Sequence, residues 1–159
     1  MRQVDFTIRN YREADIPAIL AVIKEAFREY QGKLIPPSSA ERKTIEIVRA
    51  ELAEATALVA EVDGQIGGCV FYRPQAGAIY LDRLAVLPQY RRRGMATALL
   101  ARVEAKARDL GFASLTLSVR LALEGQQRFY ERLGFVAAGQ DSHPGFTEPT
   151  SLKMKKTLL

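Results

Sequence analysis

The sequence predicts a mixed α/β fold: a central sheet of about six to seven strands with helices on both faces. The expected element order is β-α-α-β-β-β-α-β-α-β-β. Three observations carry this reading. Short runs of alternating apolar residues recur along the chain, stretches with apolar residues three and four apart lie between them, and Gly and Pro mark the joins. The length of 159 residues, with 48% hydrophobic and 26% charged, suits one globular domain over residues 1–159.

Val4 to Arg9 alternates weakly and is the first strand. Asp15 is placed to cap a helix in which Ile16, Ile19, Leu20, Ile23, Phe27 and Tyr30 share a face, with Pro17 in the first turn. Pro36-Pro37 forces a loop over Gln31 to Pro37. Ser38 and Glu41 then have capping-box spacing for a second helix carrying Ile45, Val48 and Leu52.

Ala57 to Val62 and Gln65 to Tyr72 read as strands joined by Asp63-Gly64, a hairpin turn. A turn at Pro74/Gly77 leads into a third strand, Ala78 to Val86. The long helix from about Gly94 to Leu110 is expected to bury Ala96, Leu99, Leu100, Val103, Ala107 and Leu110, with Gly111 closing it. Ser114 to Val119 is a strand with Leu115, Leu117 and Val119 on one face. Gln126 to Leu133 is a short helix closed by Gly134; Phe135 to Ala138 and Ser151 to Lys156 complete the sheet.

The formal net charge of +5 suits a polyanionic small ligand, nucleic acid or an acidic surface. A single cysteine, Cys69, excludes an intramolecular disulfide framework. Acidic and basic residues interrupt the N-terminal stretch, and no apolar run reaches membrane-spanning length. Those features lead to the expectation of a soluble, cytoplasmic protein with no membrane partner and no metal site.

The most informative run is Arg91-Arg92-Arg93-Gly94-Met95-Ala96, between an apolar strand and a periodic helix. The first N–H groups of a helix lack internal partners and sit at the positive end of its dipole. Arg adds forked donors for phosphate oxygens. The run therefore reads as an anion cradle. It is not a P-loop, because no Gly-Lys-Ser/Thr follows, and it lacks the glycine triplet of a dinucleotide fingerprint.

Leu84-Ala85-Val86-Leu87-Pro88-Gln89-Tyr90-Arg91-Arg92-Arg93-Gly94-Met95-Ala96 resembles the strand-loop-helix motif of the GNAT superfamily of acyl-CoA-dependent N-acetyltransferases: Gln or Arg, two residues, Gly, one residue, then Gly or Ala. Phe129-Tyr130-Glu131-Arg132-Leu133-Gly134-Phe135 resembles that family's aromatic-Tyr helix ending in Leu-Gly-Phe. The resemblance implies transfer of an acetyl group from acetyl-CoA to a primary amine, by direct attack on the thioester. It implies that the strands ending at Val86 and Val119 splay apart. Leu84, Ala85 and Val86 would then hold the pantetheine arm through backbone pairing. Amides from Arg92 through Arg93, Gly94, Met95 and Ala96 would hold the pyrophosphate, with Arg91 in reach of phosphate. The resemblance also implies a cofactor-contacting Asn before the Tyr helix; here Gln126 is the nearest amide, so that contact is either replaced or lost.

Three residues are candidates for the chemistry. A phenol with pKa about 10 stays protonated at neutral pH and can donate to a departing thiolate of pKa about 8.5, the role the resemblance gives Tyr130. Asp82, by strand alternation on the face of Tyr80, Leu84 and Val86, is a candidate base or an ion-pair partner of Arg83 or Arg120. His143, the single histidine, has a suitable pKa for a proton shuttle or is a surface loop residue. Phe27, Tyr30, the Leu34–Ser38 loop and His143 to Thr150 are implied as the acceptor wall. Nothing identifies the acceptor beyond an amine. Two other readings stand beside this one: a non-catalytic acyl-CoA sensor, and a basic nucleic-acid module, which lacks a recognition helix or aromatic RNA motif. Nucleic acid is not an expected partner. Homodimerisation is open, since late strands of such folds often pair between subunits.

Overall fold

In the computed structural model, residues 5–158 are described, and their element order is the expected one. The strands are β1 (Thr7–Asn10), β2 (Thr56–Val62), β3 (Gln65–Gln75), β4 (Ala78–Val86), β5 (Ser114–Arg120), β6 (Val136–Asp141) and β7 (Ser151–Thr157). The helices are α1 (Ile16–Phe27), α2 (Ile45–Glu54), α3 (Met95–Asp109) and α4 (Glu124–Arg132). Hydrogen bonding orders the seven strands β1-β2-β3-β4-β5-β7-β6. The β4–β5 pair is parallel, whereas β1–β2, β2–β3, β5–β7 and β6–β7 are antiparallel. The expected start of β1 at Val4 lies outside the described residues. The chain gathers into two compact units, Met1–Arg73 with Arg83–Val103, and Pro74–Asp82 with Glu104–Leu159.

The first unit is organised by apolar periodicity. Ile16, Ile19, Val22, Ile23 and Ala26 of α1 and Val48 and Leu52 of α2 form one buried cluster with Val59, Cys69, Phe71 and Ala85 from the strands. Each fully buried large aliphatic or aromatic side chain in such a cluster contributes about 1.5–3 kcal/mol. The β2–β3 hairpin turns at Asp63 and Gly64, whose φ values of 51° and 80° are the positive pair that a tight two-residue hairpin demands. β3 runs past the expected Tyr72 and through Pro74 to Gln75, and the turn itself is Ala76-Gly77. Pro74 belongs to the strand end, where a missing donor is tolerated.

Two helix starts differ from expectation. Asp15 occupies the N-cap of α1, but its carboxylate makes no capping bond to that helix. Instead it accepts from the Arg12 N–H at 2.7 Å and from both terminal nitrogens of Arg9, at 2.8 and 3.0 Å. Ser38 caps only a short 3-10 turn, Ser39–Arg42, accepting from the Ala40 N–H. α2 begins later, behind Thr44, whose hydroxyl accepts from the Ile47 N–H. Lys43, just before that cap, is buried, and its ammonium is held by both carboxylate oxygens of Glu51 at 2.7 Å.

In the second unit β5 pairs with β7 from Ser114↔Thr157 to Arg120↔Ser151, and β6 covers the other edge of β7. Leu115, Leu117 and Val119 are buried as their alternation predicts. α3 ends in a left-handed Gly111 cap: the Phe112 N–H donates to the Ala107 carbonyl and the Gly111 N–H to that of Arg108. That cap turns Leu110 out to 62% exposure, against the expected burial, and Ala96 at the other end is only half-buried. Met95 is the buried residue there instead. Within the second unit the parallel β4–β5 ladder sets Ile79 to Leu81 opposite Leu115 to Leu117.

Candidate active site

The anion-cradle motif is built within the first unit. β4 ends in buried Ala85 and Val86, and the Leu87 N–H donates to the Gly67 carbonyl on β3 at 2.9 Å, which fixes the exit direction. A 3-10 turn over Pro88–Tyr90 follows, then Arg92 and Gly94 with φ of 62° and 82°. A Cβ on Gly94 would meet nothing within 4 Å, so the glycine supplies conformation rather than room. Arg92 adopts the same left-handed region without that freedom, at a cost of about 1–2 kcal/mol. α3 then starts; its first ladder bond is from the Ala98 N–H to the Gly94 carbonyl, so the N–H groups of Met95, Ala96 and Thr97 fall ahead of the ladder.

Two glycines missed by the sequence reading let this turn sit down on β3. A Cβ on Gly67 would lie 2.6 Å from a ring carbon of Tyr90. A Cβ on Gly68 would lie 2.8 Å from Met95 Sδ and 3.2 Å from the Ala85 carbonyl oxygen. Glycines inside a strand pattern mark close backbone approach, so the signal was present in the sequence.

The three arginines of the motif differ in exposure and in what they bind. Arg92 is exposed and Arg93 half-buried. The Arg91 guanidinium is committed to the protein: it donates to Glu29 Oε1 at 2.5 Å, to the Ala26 carbonyl at 2.7 Å and to the Val86 carbonyl at 3.3 Å. Its side chain therefore ties the end of α1 to the end of β4. Next to the motif, half-buried Arg83 donates to Ser39 Oγ and lies over the Phe27 ring, 5.3 Å from its centroid. Of the roles left open for Asp82, base or ion-pair partner of Arg83 or Arg120, strand alternation disfavours the pair with Arg83, since neighbours on a strand point to opposite faces. Phe27 packs against the first-unit core as well as under this guanidinium. Burial raises the Cys69 thiol to about 12, with Arg83 pulling the other way, so Cys69 stays protonated and inert.

The other candidates belong to the second unit or to its share of β4. Tyr130 is half-buried on α4, with Phe129 and Phe135 rings edge-on at 5.3 and 5.6 Å. Its carbonyl accepts from the Leu133 and Phe135 N–H groups, which is how the Leu-Gly-Phe ending closes the helix around it. Burial raises the phenol above its ordinary value of 10, so it remains a proton donor across the physiological range. Gln126 is half-buried in the first turn of α4. Its neighbour Gln127, which the sequence reading passed over, donates to the Arg120 and Leu121 carbonyls at 3.1 and 2.9 Å and holds the loop from β5 into α4. Asp82 is exposed on β4. His143 sits between β6 and β7, its backbone N–H and ring Nδ1 both on the Thr150 hydroxyl. Desolvation, then the charge of Arg120, lowers its pKa below 6.5 against the pull of Asp141, so the ring is neutral at pH 7.

A family model described as the acetyltransferase (GNAT) family matches residues 19–135. An amino-acid acetyltransferase from Azotobacter vinelandii is 32% identical over 133 residues, covering 82% of this chain and 27% of the relative. One from Pseudomonas putida is 30% identical over 140 residues, covering 86% and 29%. The chain thus spans less than a third of the length of those relatives. Among solved structures, the paia N-acetyltransferase of Thermoplasma acidophilum in complex with coenzyme A superposes with a TM-score of 0.83 at 21% identity, over 96% of this chain and 99% of that one. The ribosomal-protein-S18-alanine N-acetyltransferase of Escherichia coli gives 0.78 at 20% identity, over 97% and 94%. Among the described residues, no helix is long and apolar enough to cross a membrane.

Proposed function

Because the chain belongs to the acetyltransferase (GNAT) family, an acyltransferase family whose donor is acetyl-CoA, we propose that it moves an acetyl group from acetyl-CoA to the primary amine of a small acceptor, by direct attack on the thioester. One observation carries the proposal: the cradle motif ends in a left-handed turn that leaves the N–H groups of Met95, Ala96 and Thr97 ahead of the helix ladder, seated on a glycine pair. A diphosphate suits those donors and the positive helix end. The family resemblance supports the next assignment, in which the backbone of Leu84, Ala85 and Val86 at the end of β4 holds an extended pantetheine arm.

The chemistry asks three things of the protein. The Val86 N–H polarises the thioester carbonyl as negative charge develops on its oxygen. Tyr130, held protonated by burial, donates its phenolic proton to the departing thiolate. Asp82, exposed and ionisable, takes the proton that the attacking amine loses, directly or through water. His143, neutral at pH 7 and fixed by Thr150, serves the acceptor loop as a hydrogen-bonding group. Arg91 contributes backbone and architecture; its side chain is spent on Glu29, Ala26 and Val86.

The test is a thermal melt with acetyl-CoA, followed by an amine panel read by thiol release. Ligand at a hundred times its dissociation constant adds roughly 2.7 kcal/mol of stability. Tyr130→Phe should lower turnover about 100-fold and leave that stabilisation unchanged. Absence of any shift at millimolar acetyl-CoA overturns the proposal; a shift without turnover of any amine makes the chain an acyl-CoA sensor.

A further inference from the structure

Resting on that reading, we infer that Arg83 is the specificity-determining residue for the acceptor and that the acceptor carries a carboxylate close to its amine, as an α-amino acid does. The first unit pairs its other well-anchored cations internally. Arg9 meets Asp15 and Glu61, Lys43 meets Glu51, and Arg91 meets Glu29. Arg83 is half-buried, yet among the described residues its guanidinium has no carboxylate partner. It has a neutral hydroxyl, Ser39 Oγ, and an aromatic shelf, Phe27.

The bond to Ser39 lies at the surface, so the guanidinium is held in place yet open to a ligand from solution. A guanidinium carries five N–H donors in a rigid fork, and the bond to Ser39 uses one nitrogen. The Phe27 face and Ser39 fix the plane of the group, which reduces the ordering cost when a ligand binds. The complementary ligand group is planar, anionic and bidentate: a carboxylate.

Its place in the chain selects the acceptor over the cofactor. Arg83 directly precedes the Leu84–Val86 backbone assigned to the acyl arm, and its side chain reaches the α1 end and the Ser39–Arg42 turn rather than the N–H groups near Met95. Two strand residues, Leu84 and Ala85, separate it from Val86, about 10 Å along the chain.

The experiment measures kcat/KM for the twenty free α-amino acids against their C-terminal amides, which keep size and hydrogen bonding and remove the charge. It also measures binding of the same pairs to the CoA-loaded protein by calorimetry. The inference expects the best free acid to exceed its amide by about 10- to 100-fold, and Arg83→Gln to erase that ratio while preserving the thermal shift with acetyl-CoA. Arg83→Lys, which keeps charge without the fork, should restore only part of it. A purely structural role would lower both members of each pair together and leave their ratio intact. An unchanged ratio in Arg83→Gln, or no preference for any free acid in turnover and binding alike, overturns the inference. Acetylation of neutral amines in that case still leaves the proposed activity standing, whereas loss of the acetyl-CoA shift in the unaltered protein removes the activity itself.

Discussion

The close seat of the cradle on β3 makes Gly68→Ala the most informative single change. The added Cβ would lie 2.8 Å from Met95 Sδ, 3.2 Å from the Ala85 carbonyl oxygen and 3.4 Å from Val86 Cγ2. Carbon packs comfortably at about 3.5–4.0 Å, so the first two contacts are too short. Thioethers adapt, but Met95 is 2% exposed and opens α3, so its escape drags the helix start. The Ala85 oxygen is backbone and yields only if β4 moves. Overpacking of this kind costs about 1–3 kcal/mol, and replacing a strand glycine returns about 0.5–1 kcal/mol. The net loss is about 0–2.5 kcal/mol, or a fall in Tm of up to about 10 °C for a chain of this size. Because the displaced groups are Val86, Ala85 and Met95, affinity for acetyl-CoA should fall about tenfold as well. Calorimetry gives both quantities. Gly67→Ala is the control: its Cβ meets the half-buried ring of Tyr90, a side chain free to swing outward, so the loss should be smaller. Met95→Ala should rescue Gly68→Ala, giving strong non-additivity in the double variant. Wild-type melting and wild-type affinity in Gly68→Ala would refute the packing argument.

Four further substitutions test other parts of the structure. Arg91→Gln removes bonds to the Ala26 and Val86 carbonyls as well as the exposed Glu29 pair, and should cost about 1–2 kcal/mol in urea unfolding, whereas Glu29→Gln should cost less than about 1 kcal/mol. The Arg9 guanidinium holds the Asp15 carboxyl below its usual 3.8, so its contribution is full above that value and is lost as pH falls through the lower folded pKa; Asp15→Asn should flatten the acid limb of the stability curve. His143 shifts in the same direction for a different reason, desolvation of its charged form: its folded pKa lies below 6.5, the unfolded chain binds the proton first, and stability falls as pH drops from 6.5 toward the folded value. Histidine NMR titration should show a midpoint below 6.5, and His143→Gln should remove that slope.

What could be read from the sequence was what local chemistry decides. β4 was expected over Ala78 to Val86 and is found there; the Asp63-Gly64 turn and the Gly111 and Gly134 helix ends take the positive φ that their positions demand. α2 was misjudged at its start because Ser38 and Thr44 are both good caps, and local sequence does not rank them. The choice is made by Lys43, buried against Glu51, which fixes the chain immediately before Thr44. Asp15 was misjudged for a related reason. Its cap position was legible, but a guanidinium offering two parallel bonds outcompetes a helix N–H for the same carboxylate.

The same distinction separates the two halves of the candidate site. A cofactor cradle made of consecutive backbone groups is written in consecutive residues, so Arg91 to Ala96 announces it. An acceptor wall is made by side chains from distant segments, and its meaning depends on who meets whom. Arg83 reaches Ser39 across 44 positions and Arg91 reaches Glu29 across 62. In sequence both are arginines flanking an apolar strand end, and the one in the basic run, Arg91, has the claim to a phosphate. Folding gives one of them a carboxylate and denies it to the other. That difference, invisible in composition or spacing, converts Arg91 into a tie between α1 and β4 and leaves the Arg83 fork, anchored by Ser39 and Phe27, for the proposed carboxylate.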